Sequence, residues 1–142
     1  MTELKPLKRI YITHCSRDKD PEYEVSGLKT TPDLLYTSPG LQRFIKYCNE
    51  HHHYWAIFSD RYGVVFRYER IKWYNKPPAT VTPEEFEKLV ESFTTRLARY
   101  DEIHFHHRPG ETHPVFERVV ERARAKGMNV VDFTVEDMER GE

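Results

Sequence analysis

The fold is decided by residues 54–75, which have the sequence YWAIFSDRYGVVFRYERIKWYN. The apolar run at residues 54–58 is short and bounded, which is typical of a strand buried on both faces. Polar residues and Gly63 follow this run, and residues 64–66 then form a second β-rich run. Because ligands bind beyond the carboxyl ends of the strands in open α/β sheets, the stretch predicts a buried strand with a ligand site at its end.

The rest of the chain alternates strand and helix patterns around this stretch. Runs of β-branched and aromatic residues predict strands, which lie at residues 10–13, 54–58, 102–106 and 129–133. Apolar stripes at helical spacing predict helices, which begin near Ser38, Thr82 and Thr112, with a short one at residues 135–140. This alternation predicts a single α/β domain over residues 1–142. We expect a three-layer, Rossmann-like fold with a mainly parallel sheet of four or five strands and helices on both faces.

Length and composition are those of one globular domain. Of the 142 residues, 38% are hydrophobic and 32% charged, so the chain can bury a core and is not disordered. The net charge of −1 excludes a global basic field that would recruit nucleic acid. No apolar run approaches about 20 residues, and the first residues lack the apolar core of a signal peptide. With two cysteines and no disulfide framework, we expect a cytoplasmic protein without a membrane span, of a composition that also suits a thermophile.

Polar and cationic residues follow the predicted strands, and parallel strands would bring them to one edge of the sheet. They are His14, Cys15, Ser16, Ser59, Asp60, His106, His107, Arg108 and Thr134. The same topology places four strand residues near that edge, namely Tyr11, Phe58, His106 and Phe133. Since loops at strand ends carry function more often than core positions do, this convergence is the main indication of a site.

Cys15 is the first candidate for a catalytic residue. A thiolate forms near neutral pH only beside a positive charge or a base, and His14, His106 and His107 are the candidates for that role. The alternative is that Cys15 is a small buried residue at a strand end, as we expect for Cys48 on a helix stripe. The nucleophile hypothesis predicts that Cys15, and not Cys48, reacts with a thiol reagent in the native protein.

Ser59 is the second catalytic candidate, with Tyr62 and Gly63 as ligand-binding residues beside it. Ser59 ends the buried strand, so its hydroxyl is expected to emerge at the sheet edge. Gly63 allows a sharp turn that would leave backbone N–H groups free for a ligand, and Tyr62 offers a flat ring and a hydroxyl. No GxSxG motif surrounds Ser59, and a turn-forming Ser-Asp pair is the alternative.

The eight histidines invite a metal hypothesis, but none of their spacings matches a zinc motif. Histidines at strand ends commonly satisfy local hydrogen bonds instead. We therefore predict no metal and no cofactor, and treat His106 and Arg108 as candidate ligand-binding residues.

The segment from Arg67 to Lys76 is the best local candidate for a nucleic-acid surface. It interleaves four cations with three aromatic residues, so that rings would stack on bases while cations contact phosphates. The alternative is an amphipathic cover whose aromatic side chains pack on the sheet.

Several motifs together resemble a family of small bacterial and archaeal domains related to the peroxide-stress YaaA proteins. The matching segments are CSRDK at residues 15–19, DLLYTS at residues 33–38, WAIFSDRYGVV at residues 55–65 and the pair Tyr74-Asn75. The family pattern has Gly where this chain has Arg17, and an acid where it has Asn75. The resemblance implies a common pocket lined by Cys15, Ser16, Lys19, Tyr36, Ser38, Ser59, Tyr62, Gly63 and Tyr74.

These observations lead to two hypotheses of different classes. In the first, the chain is an enzyme or a ligand-binding domain for a nucleotide, a nucleobase or a related small anion. Lys19 and Arg108 would supply charge, while Ser16, Ser38 and Ser59 would supply hydrogen bonds. In the second, it is a nucleic-acid-binding module without catalysis that uses Arg67 to Lys76. Steep salt dependence is expected only for the second.

Overall fold

The computed structural model describes residues 6–141, and within them five strands form one sheet. The strands are β1 (Arg9–His14), β2 (Trp55–Ser59), β3 (Gly63–Phe66), β4 (Glu102–His106) and β5 (Val130–Phe133). Their order is β3-β2-β1-β4-β5, and every neighbouring pair is parallel except β2 and β3, which form an antiparallel pair. The prediction of an α/β fold with a mainly parallel sheet is confirmed.

Among the described residues, five of the six α-helices begin at a proline, and the last begins at Val135 after the capping residue Thr134. The helices are α1 (Pro21–Ser26), α2 (Pro32–Leu35), α3 (Pro39–Glu50), α4 (Pro83–Arg96), α5 (Pro114–Ala125) and α6 (Val135–Glu139), with a 3-10 turn at Pro78–Thr80. Thr82 and Glu85 form the predicted capping box of α4. The cap of α5 is His113, whose Nδ1 accepts a hydrogen bond from the Val115 N–H, and not the expected Thr112. The Thr112 hydroxyl instead accepts a hydrogen bond from the Arg108 backbone N–H.

β2 is buried along its whole length, as its apolar sequence predicts, although it covers Trp55–Ser59 and not the predicted residues 54–58. Tyr54 lies before the strand and is 63% exposed, and the central strand of the sheet is β1. The Phe58 ring contacts Phe93 of α4 and Phe116 of α5. The His106 ring stacks on Phe44 of α3, with ring centroids 5.4 Å apart. These contacts pack α4 and α5 against Phe58 of β2, and α3 against His106 of β4.

The register corrects one expectation about the edge. Phe58 pairs with His14, and His106 pairs with Phe133, so these strand ends do lie together. Tyr11 pairs with Trp55 and His104 instead. It therefore lies in the middle of β1, because that strand runs on to His14 before its hydrogen-bonded ladder ends.

The segment after β3 crosses back over the sheet and packs onto it. Ile71 exchanges two backbone hydrogen bonds with Thr30, and Tyr74 is buried. Trp73 is half-buried against the core, so two of the three aromatic side chains of this segment face the protein. This arrangement agrees with the second of the two alternatives for this segment, an amphipathic cover whose aromatic side chains pack on the sheet. Across residues 6–141, no helix combines the length and the apolarity needed to cross a membrane.

Candidate functional site

A cleft of about 600 Å³ opens beyond the carboxyl ends of β1, β2 and β4. Its walls come from the loop after β1, from Asp60 after β2, from residues 75–78 and from the loop after β4. β1 lies between β2 and β4 in the sheet. The chain passes from β1 to β2 on one side of it and later to β4 on its other side, so the strand order reverses at β1. Crevices at such a reversal of strand order are the usual ligand sites of open α/β sheets.

Cys15 and Asp60 meet at the base of the cleft. The Cys15 Sγ donates to Asp60 Oδ1 across 3.5 Å, and only 7% of Cys15 is exposed. Burial, followed by the adjacent Asp60 charge, raises the pKa of Cys15 to about 12. Burial also raises the pKa of Asp60 above its ordinary value, although Cys15 and Lys19 oppose that shift. The thiol is therefore protonated near neutral pH and acts as a hydrogen-bond donor, so the geometry supplies no activation for a nucleophile.

This protonation state predicts slow chemistry at Cys15. At pH 7.5 we expect iodoacetamide to alkylate native Cys15 about a thousandfold more slowly than a free thiol, because its pKa lies about three units higher. Cys48, which is fully buried in the core, should not be labelled before unfolding. Mass spectrometry of the labelled peptides measures both rates. Fast labelling of Cys15 at neutral pH would contradict the protonated state and restore the nucleophile hypothesis.

Lys19 organises the loop that forms one wall of the cleft. Its Nζ donates to the carbonyl oxygens of Ser16 at 3.0 Å and Arg17 at 3.3 Å. The ammonium also lies 4.3 Å from the centroid of the Tyr74 ring, within the range of a cation–π contact. Burial lowers the pKa of Lys19, and the neighbouring Cys15 and Asp60 oppose that shift. Lys19 thus holds the loop and brings a positive charge beside Asp60.

Three buried hydroxyl groups form a chain behind the cleft. Ser59 Oγ donates to Tyr74 Oη at 2.9 Å, and the hydroxyls of Tyr74 and Tyr36 are 2.6 Å apart. Burial raises the pKa of both tyrosines well above the ordinary value. The structure thus brings together three residues of the pocket that the resemblance implied, but as a support for the cleft wall and not as its lining.

The expected roles of Ser59 and Gly63 need correction. Ser59 is fully buried, and its Oγ accepts hydrogen bonds from the backbone N–H groups of Arg61 and Tyr62. The hydroxyl therefore closes the turn, and those N–H groups are not free for a ligand. Gly63 has φ +76°, and a Cβ there would lie 2.3 Å from Ser92 Oγ. Gly63 is thus required by the packing of α4 against β3.

Three further candidates lie away from the lining of the cleft. His106 is buried, with its ring on Phe44 and its Nδ1 donating to the Phe133 carbonyl at 2.9 Å. Ser38 is buried at the start of α3 and makes no capping hydrogen bond through its side chain. Tyr62 packs edge-on against Tyr74 and remains 37% exposed, so it lies outside the cleft wall. His106 is directed away from the cleft because successive strand side chains point to opposite faces of the sheet. Ser38 and Tyr62 do not lie in strands, since Ser38 precedes α3 and Tyr62 lies in the turn between β2 and β3.

Arg108 lines the cleft and also supports the loop after β1 through hydrogen bonds. Its Nη1 donates to Thr13 Oγ1 at 3.0 Å and to the His14 carbonyl at 2.6 Å, and its Nη2 donates to the Cys15 carbonyl at 3.0 Å. Its Nε donates to Glu111 at the cleft rim. Burial and the Arg108 charge lower the pKa of His14 to about 3, so His14 is neutral.

The sequence interpretation placed Asp60 at this edge of the sheet but named neither Asp60 nor Glu111 as a site residue. Asp60 had a usable signal, since an acid directly after a buried strand lies at its carboxyl end. Glu111 had a weaker signal, because it follows β4 in the same loop as Arg108. Lys76 and Pro77 had no signal for this cleft, because only the return of the chain after β3 brings them to it.

Within residues 6–141, no group of three or more His, Cys, Asp or Glu side chains is arranged to hold a metal ion. The convergent residues are instead cations around one buried carboxylate. Comparisons of this chain with protein-family models, with curated proteins and with solved structures found no match.

Proposed function

We propose that the cleft binds a nucleotide, a nucleobase or a related small anion. The observation that carries the proposal is the excess of positive charge on the cleft wall. Four cations line it against two carboxylates, the cations being Arg17, Lys19, Lys76 and Arg108 and the acids Asp60 and Glu111. Glu111 is paired with Arg108, and Lys76 is paired with Glu85 outside the cleft. Lys19 lies beside Asp60 and donates to two backbone carbonyl oxygens, so Arg17 is the cleft cation best placed to meet an anion.

The size and the chemistry of the cleft support the same ligand class. Its volume of about 600 Å³ suits a ligand of nucleotide size. Asp60 supplies a carboxylate that can accept N–H groups from a base edge, and Ser16 supplies a hydroxyl at the rim. Asp60 is also the cleft group best suited to accept a proton, but the protonated Cys15 and the buried Ser59 favour binding over nucleophilic catalysis.

The finer description of the fold is also a proposal. Phe44 packs against the face that carries His106, whereas Phe93 and Phe116 pack against Phe58. Neighbouring strand positions that face different helices support three layers and a Rossmann-like arrangement. Membership of the YaaA-related family and a cytoplasmic location remain predictions from the sequence.

The second hypothesis places nucleic acid on residues 67–76. Tyr74 is buried there, and Lys76 is directed to the cleft and to Glu85. Arg70 donates to the Lys29 carbonyl. Arg67, Arg70 and Lys72 are exposed, but Tyr68 is the only one of the three rings of this segment that is, so the segment alone makes a poor stacking surface.

Substitution of Arg17 tests the cleft with little risk to the fold. Arg17 is exposed, and only its backbone carbonyl takes part in the hydrogen bond from Lys19. For Arg17→Gln we expect binding of nucleoside 5′-monophosphates to weaken about tenfold, since a hydrogen bond to a charged group contributes roughly 1.5–3 kcal/mol. Isothermal titration calorimetry with the four monophosphates, the matching nucleosides and inorganic phosphate measures the effect.

Lys88→Gln is the matched control, because Lys88 is an exposed cation on α4 that does not line the cleft. This variant should bind as the parent does. If both variants weaken nucleotide binding equally, the effect comes from the overall charge of the protein and not from the cleft. Binding of none of these ligands by the parent protein would refute the proposed ligand class.

A further inference from the structure

A second groove lies at the opposite edge of the sheet, where the parallel strands begin. It has a volume of about 720 Å³ and is lined by Pro6, Leu7, Lys8, Arg9, His52, His53, Tyr54, Arg99 and Tyr100. Arg9 opens β1, Lys8 and Tyr54 directly precede β1 and β2, and Tyr100 lies shortly before β4. We call this surface the amino-edge groove. It is distinct from the cleft, which lies beyond the carboxyl ends of the same strands.

The charge of the amino-edge groove is of one sign. None of the nine residues that line it is acidic. Within residues 6–141, no carboxylate forms an ion pair with Lys8, Arg99 or the nearby Arg67. Arg9 does pair with Glu102, at 2.9 Å. Asp101 accepts a hydrogen bond from the Lys8 backbone N–H at 2.8 Å, but it forms no ion pair with the Lys8 side chain. Three cations therefore lie on one surface without an ion-pair partner among the described residues, although the whole chain has a net charge of only −1.

Exposed aromatic rings accompany these cations. Tyr54 is 63% exposed and Tyr68 is 68% exposed, which is unusual for side chains of this size. The Arg67 guanidinium lies 5.9 Å from the Tyr54 ring centroid. The Arg99 guanidinium lies 5.9 Å from the ring of Phe66, on which Tyr68 stacks. The rings and the cations therefore form one continuous surface.

We propose that the amino-edge groove binds single-stranded nucleic acid. Exposed tyrosine faces can stack on bases, while the three cations contact the phosphates between them. Only unpaired bases can reach such rings, so the surface favours a single strand over a duplex. The proposal shares Arg67 and Tyr68 with the sequence hypothesis but replaces the buried Tyr74 and the cleft-facing Lys76 by Tyr54, Lys8 and Arg99. It does not depend on the ligand of the cleft.

Fluorescence anisotropy tests the proposal on the full chain. The probes are a labelled mixed-sequence RNA strand of about 12 nucleotides, its DNA counterpart and the corresponding DNA duplex. At about 50 mM salt we expect both single strands to bind more tightly than the duplex. Three phosphate contacts should give a slope of about −2 in log K against log salt, and Arg99→Gln should reduce its magnitude by about 0.7.

The tyrosines separate stacking from simple charge attraction. Tyr54→Ala and Tyr68→Ala should each weaken binding about fivefold or more, whereas Tyr68→Trp should retain it. Both side chains are mainly exposed, so we expect all three variants to fold, and thermal melting checks this. If both alanine variants bind within about twofold of the parent, or if the duplex binds as tightly as the strands, the proposal is overturned.

Arg17→Gln and Lys88→Gln serve as controls at the two other surfaces. Neither should alter oligonucleotide binding, because neither residue lines the amino-edge groove. If Arg17→Gln weakens the strands as much as Arg99→Gln does, the strand occupies the cleft and the present proposal fails. Loss of nucleotide binding in Arg17→Gln with intact oligonucleotide binding would support two independent sites.

Discussion

Replacement of Arg108 by Met should lower the free energy of unfolding by about 3–5 kcal/mol, because it removes charged donors from buried acceptors. The Arg108 side chain is only 3% exposed. Its guanidinium satisfies the carbonyl oxygens of His14 and Cys15 and the hydroxyl of Thr13. For a domain of this size the expected fall in the melting temperature is about 10 °C or more, as measured by calorimetry or circular dichroism.

Arg118→Met is the matched control for this prediction. Arg118 is exposed on α5 and makes a distant contact with the Phe86 ring, so its loss should change stability by about 0.5 kcal/mol or less. Arg108→Lys keeps the charge but lacks the forked geometry that reaches several acceptors at once, so we expect most of the loss to remain. A fall below about 1 kcal/mol in Arg108→Met would mean that water replaces the guanidinium.

Gly63→Ala should destabilise the protein by about 3 kcal/mol, the sum of two separate costs. The positive φ of +76° is unfavourable for a residue with a side chain, by about 1–2 kcal/mol. The added Cβ would also lie 2.3 Å from Ser92 Oγ and 2.7 Å from Ser92 Cβ, and such overpacking costs about 1–3 kcal/mol. Denaturant titration measures the total.

The two costs can be separated experimentally. Gly27→Ala is the control for the backbone alone, since Gly27 has φ +70° and nothing lies within 4 Å of a Cβ built there. It should lose only about 1–2 kcal/mol. Ser92→Gly removes the clashing atoms, so in a double-mutant cycle Gly63→Ala should cost less in that background. Equal costs for the alanine substitutions at Gly63 and Gly27 would show that α4 moves away without penalty.

The polar groups at the base of the cleft are held in place by the same contacts that stabilise the fold. The loop after β1 is held by Arg108 and Lys19, and the turn after β2 is held by Ser59 and by Gly63. A ligand would therefore meet groups whose positions are already fixed by hydrogen bonds. Such preorganisation lowers the entropy cost of binding.

Local sequence patterns determined the longer elements of this protein and their order, whereas the short helices α1 and α2 lie in a segment whose sequence shows no clear period. The apolar run of β2, the capping box at Thr82 and the apolar stripe of α3 were each recognisable, because burial and capping impose their own periodicity. The alternation of strands and helices was enough to predict a mainly parallel sheet and the edge where polar residues gather. Cys15, Lys19 and Arg108 were accordingly found among the residues of the cleft.

Only the tertiary structure decided which of those edge residues face the cleft. Ser59, Tyr36 and Tyr74 carry hydroxyls that pair with one another behind the wall, and His106 faces α3. Residues 75–78 reach the cleft through the crossing of the chain after β3. The amino-edge groove likewise joins Lys8, Tyr54 and Arg99, which are far apart in sequence. Patterns along the chain report whether a residue is buried, whereas the neighbours of a side chain depend on contacts between distant segments.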